Sequence, residues 1–134
     1  MFANGSTLTI SGTITATGGE NANNNSAGIY FFKCVATVNG STITATGGTS
    51  TTYSYGIANS ATNTAASTIT VKKGGAINAT AGTAATASNG INGTNLTVDV
   101  TDGTVTATGD TCGFNVASLT LEKGTIVGDS ATTA

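Results

Sequence analysis

The sequence predicts an all-β protein, a parallel β-helix (β-solenoid) of about five circuits with three short strands per circuit. One motif returns along the chain, as GTITATGG at residues 12–19, GSTITATGG at 40–48, GAINATAG at 75–82, GTVTATGD at 103–110 and GTIVGD at 124–129. Within each copy apolar and polar residues alternate, as in a strand with one buried face. No stretch keeps a 3.6-residue apolar period, so no helix is expected.

Each repeat contains three short pieces of strand-like composition. The first piece lies at residues 8–10, 35–38, 69–71, 96–100 and 119–121, and the second is the recurring motif itself. The third begins at a glycine followed by an apolar residue, at Gly28, Gly56, Gly90 and Gly113. Polar connections of variable length, such as residues 19–26 and 49–54, join the second piece to the third, as expected of surface turns.

The spacing of the repeats agrees with stacked circuits. The glycines that open the motif, at positions 12, 40, 75, 103 and 124, follow one another after 28, 35, 28 and 21 residues. Three strands and three turns fit one circuit, and loop insertions explain the spread. We therefore predict a single domain over residues 1–134, with approximate circuits at 6–33, 34–66, 67–94, 95–117 and 118–134. A β-sandwich would show hairpin turns and unrelated strands, and an amyloid-like segment is a further alternative.

Stacked circuits place equivalent residues above one another in internal ladders. The first predicted ladder contains Ile14, Ile43, Ile77, Val105 and Ile126. The second contains Ala16, Ala45, Ala79 and Ala107, which implies a narrow core at that position. A third begins with Leu8, Ile69, Leu96 and Leu119.

Composition restricts the function classes. The 134 residues carry a net charge of −2, with only 7% charged residues and no histidine. Disorder normally accompanies high net charge and few β-branched residues, so an ordered β protein is favoured. A nucleic-acid partner would need a basic stripe, and no apolar run approaches the roughly 20 residues of a membrane span. The start, MFANGSTL, lacks the basic and apolar regions of a signal peptide.

No set of residues indicates catalysis, and we predict no catalytic, metal-binding or cofactor-binding residues. The acidic residues are scattered over loops and strand ends. Asp99 and Asp102 could approach across a turn and hold calcium weakly, but solvated turn carboxylates are the favoured interpretation. Cys34 and Cys112 lie in well-separated repeats, beyond expected disulfide reach, and neither has a histidine base. The chain is predicted not to be an enzyme.

The repeats resemble those of a known group of proteins. The segments LTISGTITATGG, VATVNGSTITATGG, SYGIANS, GINGTNLTVDVTDGTVTATGD and LTLEKGTI are similar to the degenerate TVSGGTVTATGG…YGI repeats of large bacterial cell-surface and secreted proteins. The resemblance covers residues 6–128 and carries no catalytic residues. It implies an extracellular, non-enzymatic β-solenoid that serves as stalk, adhesin or matrix component. This chain departs from the pattern in being much shorter.

The predicted circuits need protection at both ends, because terminal circuits expose unpaired backbone groups and apolar core. Neither end offers a capping segment, so we expect either a piece of a longer chain or head-to-tail stacking of copies into open fibres. The last repeat is expected to supply two strands over residues 119–127, with residues 1–10 of the next copy completing or covering its circuit. The candidate stacking interface consists of Leu8, Ile10, Leu119, Leu121 and Ile126.

Two other surfaces suggest alternative functions. A flat threonine array resembles the ice-binding face of some antifreeze proteins, although threonine also simply favours strands. Tyr53 and Tyr55 could protrude from a loop as platforms for glycans, but rings packed on their own loop are the favoured interpretation. A self-stacking structural subunit is the first prediction, a glycan- or surface-binding adhesin segment the second, and an ice-binding protein the third. The array contains Thr13, Thr15, Thr17, Thr42, Thr44, Thr46, Thr104, Thr106 and Thr108.

Overall fold

The structure is a computed structural model that describes residues 1–20, 23–60 and 66–130. Every regular element in these residues is a β-strand, and none of them forms a helix long and apolar enough to cross a membrane. The strands are β1 (Phe2–Asn4), β2 (Thr7–Ile10), β3 (Ile14–Thr17), β4 (Asn25–Phe32), β5 (Val35–Asn39), β6 (Thr42–Thr46), β7 (Tyr53–Asn59), β8 (Ser67–Lys72), β9 (Gly75–Thr80), β10 (Ala87–Val100), β11 (Gly103–Gly109), β12 (Cys112–Leu121) and β13 (Gly124–Ser130).

The strands stand in three columns, and every pairing between the described strands is parallel. Column 1 runs through β1, β4, β7 and the first parts of β10 and β12, and column 2 through β2, β5, β8 and the second parts of β10 and β12. Column 3 is a five-stranded sheet of β3, β6, β9, β11 and β13. A level is one strand segment from each column: the first level is β1, β2 and β3, and the last is β12 and β13. The predicted all-β, parallel arrangement is confirmed.

Strand register confirms the two ladders predicted for column 3. Ile43 pairs with Ile14 on one side and with Ile77 on the other, and the ladder continues to Val105 and Ile126. We call such a set of residues, paired with one another through successive levels, a file. The alanine ladder is continuous in the same way. Because successive side chains of a strand alternate between its faces, these two files fill the inner face of the column.

The third predicted ladder, in column 2, is wrong at one position. Val98, and not Leu96, pairs with Ile69, whereas Leu96 pairs with Ser67. The reason is that β10 runs from column 1 into column 2 without a turn and changes register between Gly93 and Thr97. The completed file is Leu8, Ala36, Ile69, Val98 and Leu119.

Both end levels contain all three columns, which corrects the expectation of an incomplete last repeat. Phe2 pairs with Tyr30, so β1 supplies column 1 of the first level. In the last level, β12 spans columns 1 and 2 and β13 completes column 3. The last level follows a shorter corner: two residues separate β11 from β12, whereas six separate β9 from β10. Residues 1–10 of a second copy are therefore not needed to complete it.

Close packing explains why a glycine precedes the apolar residue in the third strand-like piece of each repeat. A Cβ added to Gly56 would lie 2.6 Å from the Thr80 nitrogen and 2.7 Å from the Gly90 oxygen. Column 1 therefore approaches the backbone of column 3 so closely that only hydrogen fits between them. The corresponding glycines of other levels meet neighbouring backbone at similarly short distances, and they are Gly28, Gly90 and Gly113.

A buried serine ladder joins the levels at the corner between columns 3 and 1. The Ser54 Oγ donates to the Gly48 carbonyl at 2.8 Å and accepts from the Gly82 N–H at 2.8 Å. One hydroxyl thus satisfies backbone groups of two successive corners, which turn too sharply for ladder pairing. Sequence reasoning missed this ladder, although its signal is a serine two residues before the recurrent Gly-Ile. Its other members are Ser26 and Ser88.

Candidate functional site

The acidic groups do not converge on a common centre. The Asp99 Oδ1 accepts a hydrogen bond from the Thr120 Oγ1 at 2.6 Å. The Asp102 Oδ1 forms an ion pair with the Lys123 Nζ at 3.1 Å; the Lys123 side chain is largely exposed to water and that of Asp102 is partly exposed. Among the described residues, no group of three or more histidine, cysteine, aspartate or glutamate side chains could hold a metal ion.

The two thiols are free and far apart in the fold. Cys34 is fully buried, and its Sγ lies 3.3 Å from the Phe32 carbonyl oxygen. Cys112 is partly buried, with its Sγ 3.3 Å from the Asn89 Oδ1. Burial raises the pKa of the Cys112 thiol above its ordinary value of 9.0. Because the thiolate is the nucleophilic form, Cys112 is a poor nucleophile at neutral pH.

The first level presents an open apolar end. Ile10 is buried, with 7% of its surface exposed, whereas Leu8 and Ile14 are only partly covered. Together with Met1 they line an open hollow of about 360 Å³. In the described part of the chain, the outer edges of β1, β2 and β3 have no strand partner. Apolar side chains and unpaired backbone groups are therefore uncovered at the same surface.

The last level presents a second apolar end. Leu119 and Leu121 are 37% and 50% exposed, while Val98 and Val100, which occupy the same files one level earlier, are 0% exposed. The two leucines are thus core positions that lack a covering level. Ile126 is partly buried in the equivalent position of column 3.

Column 1 adds two apolar residues to this end that are not among the predicted stacking residues. Phe114 pairs with the fully buried Ile91, and Val116 pairs with Gly93. Both are only partly buried, because no strand of the described chain lies beyond them. The Gly-Phe pair of the last repeat, which replaces the Gly-Ile of earlier repeats, is the sequence signal for Phe114.

The predicted threonine array lies on the outward face of column 3. Thr44 pairs with Thr15, and Asn78 follows in the same file before Thr106. A neighbouring file is unbroken over four levels because it includes Thr80, which sequence reasoning missed. That file is Thr17, Thr46, Thr80 and Thr108. The threonines of the first level are exposed, and those of the second level are partly buried.

The tyrosine pair lies in a strand, which corrects the prediction of a protruding loop. The strand β7 begins at Tyr53, so both tyrosines belong to it. They alternate with the buried Ser54 and therefore lie on the outward face of column 1. Their rings are stacked, with centroids 6.1 Å apart and planes 9° from parallel. Burial, followed by the charges of Tyr53 and Tyr30, raises the pKa of Tyr55 above 10.0. Since each ring turns one face toward the other, fewer faces are open to a sugar.

The molecule therefore offers three candidate surfaces: the two ends together, the threonine face and the tyrosine pair. The ends combine uncovered core side chains with unpaired strand edges. Comparison of the chain with protein-family models, with curated proteins and with solved structures finds no match.

Proposed function

We propose that the chain is a parallel β-solenoid of five circuits with a non-enzymatic, structural function. In this proposal it is an extracellular subunit that stacks end to end on copies of itself into a filament or surface fibre. The observation that carries the proposal is the exposure of Leu119 and Leu121 at positions that are fully buried one level earlier. A second copy would supply the missing level.

The energetics favour such a contact. Burying a leucine side chain fully contributes about 1.5–3 kcal/mol, so covering the exposed part of each terminal leucine contributes about 1 kcal/mol. Pairing of strand edges adds about 1 kcal/mol net per hydrogen bond. Because three columns meet at each end, the contributions from apolar burial and from hydrogen bonds are summed over three strands. Together they offset an association cost of about 4–15 kcal/mol. The two ends differ from one another, so the contact is heterologous and produces an open fibre.

The non-enzymatic part of the proposal rests on the chemistry of the described side chains. Asp99 is bound to Thr120 and Asp102 to Lys123, and neither lies in an enclosed cleft with a second acid. Burial raises the pKa of the Cys112 thiol, which disfavours the nucleophilic thiolate form. The extracellular part rests on the resemblance of the repeats to those of bacterial surface proteins.

The test is to introduce a charge at one end. Leu121→Lys places an ammonium group in the proposed joint, where it would be desolvated without a partner. Ser118→Lys makes the same change in charge on the outward face of the same strand and serves as the matched control. We expect electron microscopy to show unbranched fibres of the parent chain and of Ser118→Lys, with an axial repeat of roughly 24 Å, five levels of about 4.8 Å each.

Leu121→Lys should remain monomeric in sedimentation velocity over the same concentration range, with an unchanged β-sheet circular dichroism spectrum. Fibres that persist in Leu121→Lys would refute the proposed joint. A parent chain that stays monomeric at every concentration would refute the filament itself.

The unbroken threonine file favours ice binding as a second candidate function. Thr46 and Thr80 lie on the outward face of column 3, which carries no charged residue in the middle levels. The measurement is thermal hysteresis, compared between the parent chain and Thr46→Lys. Hysteresis equal to that of an inert protein excludes this candidate. A glycan-binding adhesin segment, centred on Tyr53 and Tyr55, is the remaining alternative, and loss of glycan affinity in Tyr53→Ala is its test.

A further inference from the structure

We infer that the joint between copies has a single register, in which β12 and β13 of one copy pair in parallel with β1, β2 and β3 of the next. In this register Leu119 lies over Leu8, Leu121 over Ile10 and Ile126 over Ile14. The inference rests on the proposed end-to-end stacking and specifies its geometry. It follows from the files of residues that already run through the chain.

Three inward files begin and end with a large apolar residue. In column 2, the file that begins at Leu8 ends at Leu119, and the file that begins at Ile10 ends at Leu121. In column 3, the file that begins at Ile14 ends at Ile126. Continuing these three files across the joint, by the pairing that relates levels within the chain, therefore places a large apolar residue on a large apolar residue in both columns.

A slip of one residue is excluded by side-chain alternation. It would place the inward Leu119 over the outward Thr7 or Thr9 and turn the apolar residues of one partner toward water. Both threonines are exposed in the first level, and they mark its outward face. The same slip would place Ile126 over Thr13 or Thr15.

A slip of two residues keeps every side chain on its face but removes apolar contacts across the joint. The β2 strand has only four residues, Thr7–Ile10. Sliding β12 forward by two residues moves Leu121 past Ile10 to the corner at Gly12, and sliding it back moves Leu119 off the start of the strand. Either slip leaves one leucine exposed, so the unslipped register buries the most apolar surface.

Shape favours the same register. Leucine occupies the last level at positions where the preceding level has Val98 and Val100. The first level offers the hollow of about 360 Å³ lined by Leu8 and Ile10. The longer side chains therefore project from one end toward a hollow at the other end, and continuing the files brings the two together.

Charge does not oppose this register. The strands of columns 2 and 3 that would meet are TLTI and ITAT on one side, and the second part of β12 with GTIVGDS on the other. They contain one charged side chain, Asp129, whose file continues onto Thr17. No like charges meet across the joint.

Disulfide trapping in assembled fibres tests the register. The background is Cys112→Ser, with the fully buried Cys34 retained. Thr9→Cys together with Thr120→Cys places one new thiol on each outward edge of the proposed joint, with the Cα atoms about 4.8 Å apart, within disulfide reach. The matched control, Thr7→Cys together with Thr120→Cys, is displaced by two residues, so its Cα atoms lie about 8 Å apart, beyond that reach.

We expect mild oxidation of the first pair to give a ladder of oligomers on a denaturing gel that a reductant removes. The control pair and the Cys112→Ser background should give none. Fibres in which the control pair links and the first pair does not, or in which neither links, would overturn the register while leaving the proposed function intact. Absence of both fibres and cross-links in every variant would overturn the register together with the proposed function.

Discussion

Removal of one buried hydroxyl tests whether the serine ladder holds the corners of the fold. In Ser54→Ala, the Gly48 carbonyl loses its donor and the Gly82 N–H loses its acceptor, both at 2.8 Å. Ser54 is fully buried, with 0% of its surface exposed, so no water can take the place of its Oγ without rearrangement.

The magnitude follows from these two bonds. A neutral hydrogen bond contributes about 1 kcal/mol net, and an unsatisfied buried partner costs about 1–3 kcal/mol. Gly48 and Gly82 are partly exposed, so water reaches the orphaned backbone groups in part. We therefore expect a loss of about 2 kcal/mol in the free energy of unfolding, near the lower end of that range.

Urea denaturation followed by circular dichroism measures this loss. The measurement belongs in the Leu121→Lys background, so that the proposed self-association does not contribute to stability. Ser6→Ala is the matched control, because Ser6 is exposed and makes one local bond, to the Asn4 carbonyl at 2.9 Å. It should change stability by less than about 0.5 kcal/mol. A Ser54→Ala loss no larger than that of Ser6→Ala would show that the ladder does not stabilise the corners.

Two further predictions concern packing and pH. Gly56→Ala forces a Cβ to within 2.7 Å of backbone atoms in two neighbouring strands and should lower the free energy of unfolding by about 3 kcal/mol or more. The control is Gly19→Ala, whose added Cβ meets nothing within 4 Å and should leave stability nearly unchanged. Urea denaturation of the two variants measures the difference, and equal stabilities would contradict the close approach of columns 1 and 3. The pKa of Tyr55 is raised in the folded protein, so its contribution to stability is complete below the unfolded value of 10.0 and is lost as pH rises through the folded value. The melting temperature should therefore fall at alkaline pH, and Tyr55→Phe should reduce this fall; an unchanged alkaline slope in Tyr55→Phe would count against the burial of that hydroxyl.

Sequence reasoning succeeded where alternation and recurrence act together. Ile14, Ile43 and Ile77 occupy the same place in successive copies of one motif, and each alternates with threonine. Because strand side chains have a period of two and equivalent residues stack in parallel register, both the inward face and the partner were predictable. The same reasoning proposed Leu119 and Leu121 as stacking residues, and these side chains are 37% and 50% exposed.

It failed where neighbouring positions on the same face had to be distinguished. Leu96 and Val98 both point inward, and only the register change in β10 places Val98 beside Ile69. Tyr53 was assigned to a loop because the start of a strand next to a polar connection has no local signal. Phe114 was not assigned to the last level, because its level depends on the strand of column 1 with which β12 pairs.

The sequence by itself determined which side chains face the core and which face water, since alternation is a local property of each strand. Only the tertiary structure decided which level lies beside which, where loops are replaced by continuous strand, and which core positions remain uncovered. The physical reason is that the hydrogen-bond partner of every parallel strand lies one repeat away along the chain. Whether Leu121 is buried or exposed therefore depends on whether another level lies above it, and no local pattern of residues encodes the presence of that level.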